Sequence, residues 1–165
     1  MSSKALFILK RREDYNTDLP GFMKYTVATG MYNSAKFVSD MLNQNGVPSN
    51  IEIAIDNNCI DRLVTQYKPT HVFIEGLWVV PEKFDILKKL HPNVEWVIRI
   101  HSELPFLAQE GIALEWINGY LKRAISVSGN SIRINNSISN LAKLINPTLS
   151  EKKVVLLPNY YPIDD

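Results

Sequence analysis

The sequence at positions 94–111 reads VEWVIRIHSELPFLAQEG, a mainly apolar stretch that is interrupted by three consecutive polar residues. His101, Ser102 and Glu103 directly follow residues 94–100, which have the near-continuous apolar character of a buried strand. An imidazole exchanges protons near neutral pH and can serve a sugar hydroxyl or a leaving oxygen. The alternative is a hydrogen-bonded structural histidine at a strand end. We take His101 as the candidate catalytic residue, with Ser102 and Glu103 as candidate substrate ligands.

Further candidates follow other predicted strands or begin a predicted helix. Arg11 comes after the first strand and Asn130 after the fifth, where plain helix capping is the alternative role. Trp78, after the third strand, either stacks on a sugar or base or packs at the rim of the core. Asn33 and Ser34 are expected to cap a helix, and its free amides then offer an anion or hydroxyl site; plain capping is again the alternative. All five are candidate substrate-binding residues.

Arg99 lies within the fourth predicted strand, where its charge needs a partner. A partly buried guanidinium is stabilised by a nearby carboxylate. We therefore expect Arg99 to pair with Glu103 or with another carboxylate, as a structural brace.

The elements that must position these side chains are short apolar runs alternating with longer amphipathic ones, a pattern typical of βαβ units around a parallel sheet. Apolar strands without polar alternation favour a sheet covered on both faces. The sequence predicts an α/β fold with a doubly wound, mainly parallel six-stranded Rossmann-like sheet and helices on both faces. The predicted strands are residues 5–10, 51–55, 70–75, 94–100, 124–127 and 154–157. The predicted helices are residues 33–45, 112–123 and 131–145, with two more between 56 and 69 and between 81 and 92.

Six such strands fit the order 3-2-1-4-5-6, numbered along the chain. In that order ligands bind beyond the carboxyl ends of strands one and four, where the winding reverses. The expected crevice has residues 10–12 on one side and residues 101–103 on the other.

Composition narrows the classes of partner. The 165 residues suit one domain, and a net charge of +1 gives no general attraction to nucleic acid or to an anionic membrane. The single cysteine, Cys59, cannot form an internal disulfide, which favours a reducing compartment. The apolar run at residues 5–9 is far too short for a membrane span. We expect a cytoplasmic protein without a membrane span.

Several motifs that would indicate a cofactor are missing from the sequence. Neither G-x-G-x-x-G nor G-x-x-x-x-G-K-[ST] occurs, so NAD, FAD and P-loop nucleotide binding are not indicated. No G-x-S-x-G nucleophile elbow is present, and the histidines at 71, 91 and 101 lack metal-ligand spacing. The sequence predicts no cofactor and no metal site.

The connection at residues 11–33 is much longer than the usual βα loop of about two to six residues. It carries glycines, aromatic rings and charges suited to closing over a polar ligand, although a disordered surface excursion has the same composition.

The order of these pieces resembles the amino-terminal half of GT-B glycosyltransferases, particularly glycosyltransferase-like proteins encoded by tailed bacteriophages. The most specific matches are YNSA at 32–35, HVFIE at 71–75, RIHSE at 99–103 and LPNYYP at 157–162. The resemblance implies that two Rossmann-like domains face each other, the first shaping the acceptor site and the second holding the nucleotide-sugar donor. It places His101 where many members carry a histidine that reaches the transferred sugar. Ser102 stands where those members usually have aspartate.

The resemblance implies a division of the chain and a function. We expect residues 1–157 to form one domain, and residues 158–165 to begin a connection to a second, C-terminal domain or to form a free tail. The expected function is sugar transfer from a nucleotide-sugar donor to an unknown hydroxyl acceptor, either a glycan or modified DNA. This half alone is expected to be inactive or weakly active, and a phage-encoded protein would work in the host cytoplasm. The alternative is a non-catalytic module that binds a nucleotide, a sugar or a host protein in the same crevice.

Overall fold

The computed structural model describes residues 2–13, 25–26, 29–102, 111–145, 147 and 154–162. The strands of these residues are Ala5–Lys10 (β1), Arg12–Glu13 (β2), Tyr25–Thr26 (β3), Ser49–Ala54 (β4), His71–Glu75 (β5), Glu95–Ile100 (β6), Ser126–Gly129 (β7) and Val154–Leu156 (β8). The α-helices are Thr29–Gln44 (α1), Ile60–Tyr67 (α2), Lys83–Leu90 (α3), Ala113–Lys122 (α4) and Ile132–Ile145 (α5), and a 3₁₀ turn at Asn57–Cys59 precedes α2.

Six strands form one sheet in the order β4-β1-β5-β6-β7-β8, and every pairing within it is parallel. The short strands β2 and β3 pair separately and antiparallel. Because all six strands of the sheet run the same way, their carboxyl ends lie along one edge. The predicted doubly wound, parallel α/β fold is confirmed.

The predicted strand order is wrong. Along the chain the observed order is 2-1-3-4-5-6, so that β5 lies directly beside β1 and β4 is an edge strand. The residues of β4 explain its edge position, because Asn50 is exposed, Glu52 is only partly covered and Ile53 is 46 % exposed. An interior strand would bury such side chains. The winding of the sheet therefore reverses between β1 and β5. The prediction placed this reversal between β1 and β6, the fourth of the six predicted strands.

Helices cover both faces of the sheet. Alternate residues of β1 point to opposite sides, as they must in a strand. On one side Phe7 and Leu9 form a small cluster with Ala35 and Val38 of α1. On the other side lies the larger core, to which α2, α3, α4 and α5 contribute Leu63, Phe84, Ile117 and Ile138 in turn.

Two element boundaries differ from prediction in ways that matter for the site. Helix α1 begins at Thr29, so Asn33 and Ser34 lie beyond its first turn and cannot be its caps. Strand β7 covers Ser126–Gly129, two residues later than predicted.

Much of the predicted 11–33 loop lies outside the described residues. Among the described helices, none has both the length and the apolarity needed to cross a membrane.

Gly129 lets α5 pack closely against the end of β7. A Cβ built on Gly129 would lie 2.5 Å from the backbone nitrogen of Asn135, closer than side chains can approach. The Gly129 N–H also donates to Asn135 Oδ1 at 3.3 Å. This close approach fixes where the residues that follow β7 leave the sheet.

Candidate functional site

The side chain of His101 is held on both of its nitrogens at the carboxyl edge of the sheet. Nε2 hydrogen-bonds to Glu75 Oε2 in a short contact, and the Asn130 amide nitrogen lies 3.2 Å from Nδ1. A carboxylate only accepts and an amide nitrogen only donates. The arrangement therefore matches the imidazole tautomer with its proton on Nε2 and a lone pair on Nδ1. The His101 side chain is 15 % exposed, whereas that of Glu75 is fully buried.

Glu75 also pairs with Arg99. Arg99 Nη1 donates to Glu75 Oε1 at 3.0 Å, and both side chains are fully buried. Val72, Ile74, Ile98 and Ile100 enter the larger core. By strand alternation Glu75 and Arg99 therefore face the opposite side, which is the side of α1. The pair is possible because β5 and β6 are neighbours, with Glu75 directly opposite Arg99 in the register.

Asn159 links this pair to α1. Its Oδ1 accepts from Arg99 Nη2 at 3.1 Å and from Ser34 Oγ at 2.5 Å. Arg99 Nε has no hydrogen-bond partner among the described residues. Both guanidinium Nη atoms are thus engaged, and within the part of the chain that the structure describes the buried Nε donor is not.

The chain after β8 brings Asn159 to this position by continuing alongside β7. The Leu157 N–H donates to the Gly129 carbonyl at 3.2 Å, and the Asn159 N–H donates to the Asn130 carbonyl at 3.1 Å. Five residues are thereby joined in a closed circuit, which we call the hydrogen-bond cycle: His101, Glu75, Arg99, Asn159 and Asn130, with Asn130 returning to His101.

No protein-family model matches the chain, and no curated protein matches it. The functional assignment therefore rests on side-chain geometry and on sequence pattern. Across the described ranges, no group of three or more His, Cys, Asp or Glu side chains is placed to hold a metal ion.

Three of the sequence-predicted site residues come together in or beside the cycle. His101 and Asn130 belong to it, and the buried Ser34 hydrogen-bonds to it through Asn159. Ser34 reaches this position from within α1 and not as a helix cap. Asn33, its neighbour, is exposed on the helix surface. The predicted anion site at the start of this helix is therefore not formed by these two residues.

Three of the other predicted residues, Arg11, Ser102 and Trp78, lie along the same edge of the sheet. Arg11 is half-buried directly after β1, and Ser102 is half-buried directly after His101. The half-buried Trp78 packs against the larger core, and its indole N–H donates to the Glu75 carbonyl at 3.0 Å. Glu103 lies outside the described residues. Within those residues the carboxylate partner of Arg99 is Glu75.

Sequence reasoning did not assign Glu75 and Asn159 to the site. Glu75 ends the apolar strand HVFIE, and a carboxylate that closes a buried strand is a usable signal. The wrong strand order hid it, because 3-2-1-4 separates the third strand from the fourth by two others. Asn159 has a weaker signal, as an amide between prolines in a segment expected to leave the domain.

The arrangement can support acid-base chemistry on a hydroxyl group. A buried carboxylate on Nε2 fixes the tautomer and stabilises the imidazolium that forms when Nδ1 takes a proton. The Nδ1 lone pair meets only the Asn130 amide among the described residues, at the long end of hydrogen-bond distances. A ligand hydroxyl can replace that amide as the donor to Nδ1.

Proposed function

We propose that the chain is the acceptor-side domain of a glycosyltransferase, which moves a sugar from a nucleotide-sugar donor to a hydroxyl acceptor. One observation carries the proposal. His101 lies at the carboxyl edge of a parallel sheet, where its Nε2 hydrogen-bonds to the buried Glu75 carboxylate. Its Nδ1 faces the Asn130 amide, which a ligand hydroxyl can replace. Ligands of doubly wound folds bind beyond the carboxyl ends of the strands at the point where the winding reverses, which here lies between β1 and β5. Glu75 ends β5, and its hydrogen bond connects His101, one strand further along, to that point. An oriented His-carboxylate pair is the arrangement used to remove a proton from a hydroxyl.

In the proposed reaction His101 acts on the acceptor. Nδ1 takes the proton of the acceptor hydroxyl while its oxygen bonds to the anomeric carbon of the donor. The bond from that carbon to the diphosphate oxygen breaks, and its electron pair leaves with the nucleoside diphosphate. Glu75, which also pairs with Arg99, stabilises the imidazolium through the hydrogen bond that it accepts from Nε2–H.

The donor is assigned to a second, C-terminal domain. The sequence has no glycine-rich phosphate loop, and the family it resembles holds the nucleotide sugar in its other half. The hydrogen-bond cycle carries one buried arginine already paired with a carboxylate, so its net charge offers little to a diphosphate. This charge balance suits an uncharged reacting group, such as a hydroxyl of a glycan or the hydroxyl of a modified DNA base.

A second candidate is a binding module without catalysis. The observation that favours it is the closure of the hydrogen-bond cycle, in which both nitrogens of His101 already have partners. Such a satisfied network can simply shape a crevice for a nucleotide, a sugar or a host protein.

Calorimetric titration of the chain tests the acceptor assignment. The probes are UDP-, GDP- and ADP-glucose, the free nucleotides, methyl glycosides of glucose, galactose and mannose, and an oligonucleotide containing 5-hydroxymethylcytosine. We expect heat from a hydroxyl acceptor that disappears in His101→Ala and persists in His91→Ala, the matched control. Tight binding of a nucleotide sugar with no response to any hydroxyl compound would overturn the assignment.

The reading frame beyond Asp165 separates the two candidate functions. A further stretch of roughly 150 residues with a second series of strands and helices supports the transferase, because a donor-binding domain needs that size. An immediate stop codon supports the binding module.

A further inference from the structure

Asn159 forms hydrogen bonds to several residues of the site, a role that its sequence context does not predict. Its side chain accepts from Arg99 and Ser34 and donates from Nδ2 to the hydroxyl oxygen of Tyr161 at 3.1 Å. Its backbone N–H donates to the carbonyl of Asn130. One residue outside the regular strands thus contacts β6, α1, the end of β7 and its own segment.

These connections reach His101 by two routes. One route runs from the Asn159 side chain through Arg99 and Glu75 to Nε2. The other runs from its backbone through Asn130 to Nδ1. A shift of Asn159 therefore acts on both partners of the imidazole at once.

The segment that carries Asn159 is open to outside contact. Tyr161 is 66 % exposed, and its ring lies edge-on to Phe37 of α1 with centroids 6.1 Å apart. Tyr160 is 40 % exposed. A partner that binds to these rings therefore contacts a segment that is hydrogen-bonded directly to the cycle.

We propose that Asn159 is a positioning residue, which couples residues 157–162 to the hydrogen bonding of the His101 imidazole. Arg99 holds Glu75 in place only while its other Nη atom is satisfied by Asn159. The Asn130 backbone is held by the same residue, so the cycle keeps its geometry when the segment is seated and loosens when it moves. The inference deepens the proposed function, since it concerns the same imidazole.

Nitrogen-15 NMR of the imidazole in the ligand-free chain tests the coupling. In the parent protein we expect a protected His101 Nε2–H signal and the Nε2–H tautomer. In Asn159→Ala, solvent exchange of that proton should be roughly tenfold faster or more, because Arg99 loses a charge-assisted hydrogen bond. Asn159→Asp should retain the signal, since its carboxylate accepts from both Arg99 and Ser34. Asn136→Ala, an exposed asparagine of α5, is the matched control.

An Asn159→Ala protein with a lower melting temperature but unchanged His101 exchange and tautomer would overturn the coupling and leave Asn159 a structural residue. If Asn159→Ala does not fold, Tyr161→Phe decides, because it removes the hydroxyl that accepts from Asn159. A shifted His101 resonance in Tyr161→Phe but not in Tyr160→Phe supports the coupling, and no shift in either contradicts it. Because no ligand is used, failure here is distinct from failure of the acceptor assignment.

Discussion

Glu75 Oε1 accepts a hydrogen bond from Arg99 Nη1 at 3.0 Å, and neither side chain is exposed to solvent. The other oxygen of the same carboxylate bonds to His101. A buried guanidinium without a carboxylate is strongly destabilising, so Glu75 is needed both for the fold and for the orientation of the imidazole.

Replacing Glu75 with glutamine should therefore destabilise the protein by about 3–5 kcal/mol, because the shape is kept while the Arg99 charge loses its counterion. Urea denaturation measures this change. Asp61→Asn is the matched control, since Asp61 forms another His-carboxylate pair, with His91, but is 49 % exposed. It should cost at most about 1 kcal/mol. Equal losses in the two variants would contradict the special cost of the buried pair.

The double variant Glu75→Leu with Arg99→Met separates stability from site geometry. Removing both charges should be less destabilising than removing the carboxylate alone, because no unpaired buried charge remains. The protected His101 Nε2–H signal should nevertheless be lost. A double variant as unstable as Glu75→Gln would show that packing, and not the unpaired charge, sets the cost.

Gly129→Ala tests the close approach of α5 to β7. The added Cβ meets the backbone of Asn135 at 2.5 Å, so we expect a loss of about 1–3 kcal/mol in the free energy of unfolding. Gly30→Ala in α1 is the opposite case, since no described atom lies within 4 Å of its Cβ position. That substitution should gain up to about 1 kcal/mol from helix propensity. A neutral Gly129→Ala would mean that α5 moves away freely.

Tyr120 predicts a stability change at high pH. Burial, with a smaller contribution from the charge of Glu82, raises the pKa of its phenol above the ordinary value, and its hydroxyl donates to the Val79 carbonyl. The folded protein thus keeps a proton that the unfolded chain releases near pH 10. Its contribution to stability is complete below about pH 10 and declines as the pH rises further. Urea denaturation from pH 9 to 11 should show a shallower decline in Tyr120→Phe; identical slopes would contradict this role.

The sequence specified the type of fold but not the strand order. Apolar strands that alternate with amphipathic helices indicate a parallel sheet covered on both faces. The predicted strands 5–10 and 94–100 match the observed Ala5–Lys10 and Glu95–Ile100 to within one residue. The order depends on which way each crossover turns, which periodicity does not reveal. In β4 the polar residues Asn50 and Glu52 are the sequence signal for an edge strand.

The wrong strand order also limited the prediction of the site residues. His101 and Asn130 could be placed at the carboxyl edge because polar residues that directly follow apolar parallel strands lie there. Ser34 was predicted for a different reason, as a helix cap, whereas it reaches the cycle from within α1. Glu75 required knowing that β5 neighbours β6. Asn159 required knowing that the chain stays beside β7 after β8, and a proline-flanked segment gives no periodic signal for that.

The most direct test of the proposed function follows the His101 imidazole by nitrogen-15 NMR while the hydroxyl acceptors and the nucleotide sugars are added separately. An acceptor hydroxyl that replaces the Asn130 amide should shift the Nδ1 resonance and leave the Nε2–H bond to Glu75 intact. His91, in its own carboxylate pair, should not respond. A His101 resonance that is unmoved by every methyl glycoside and by the hydroxymethylated oligonucleotide, but moved by a nucleotide sugar, would contradict the acceptor-side assignment.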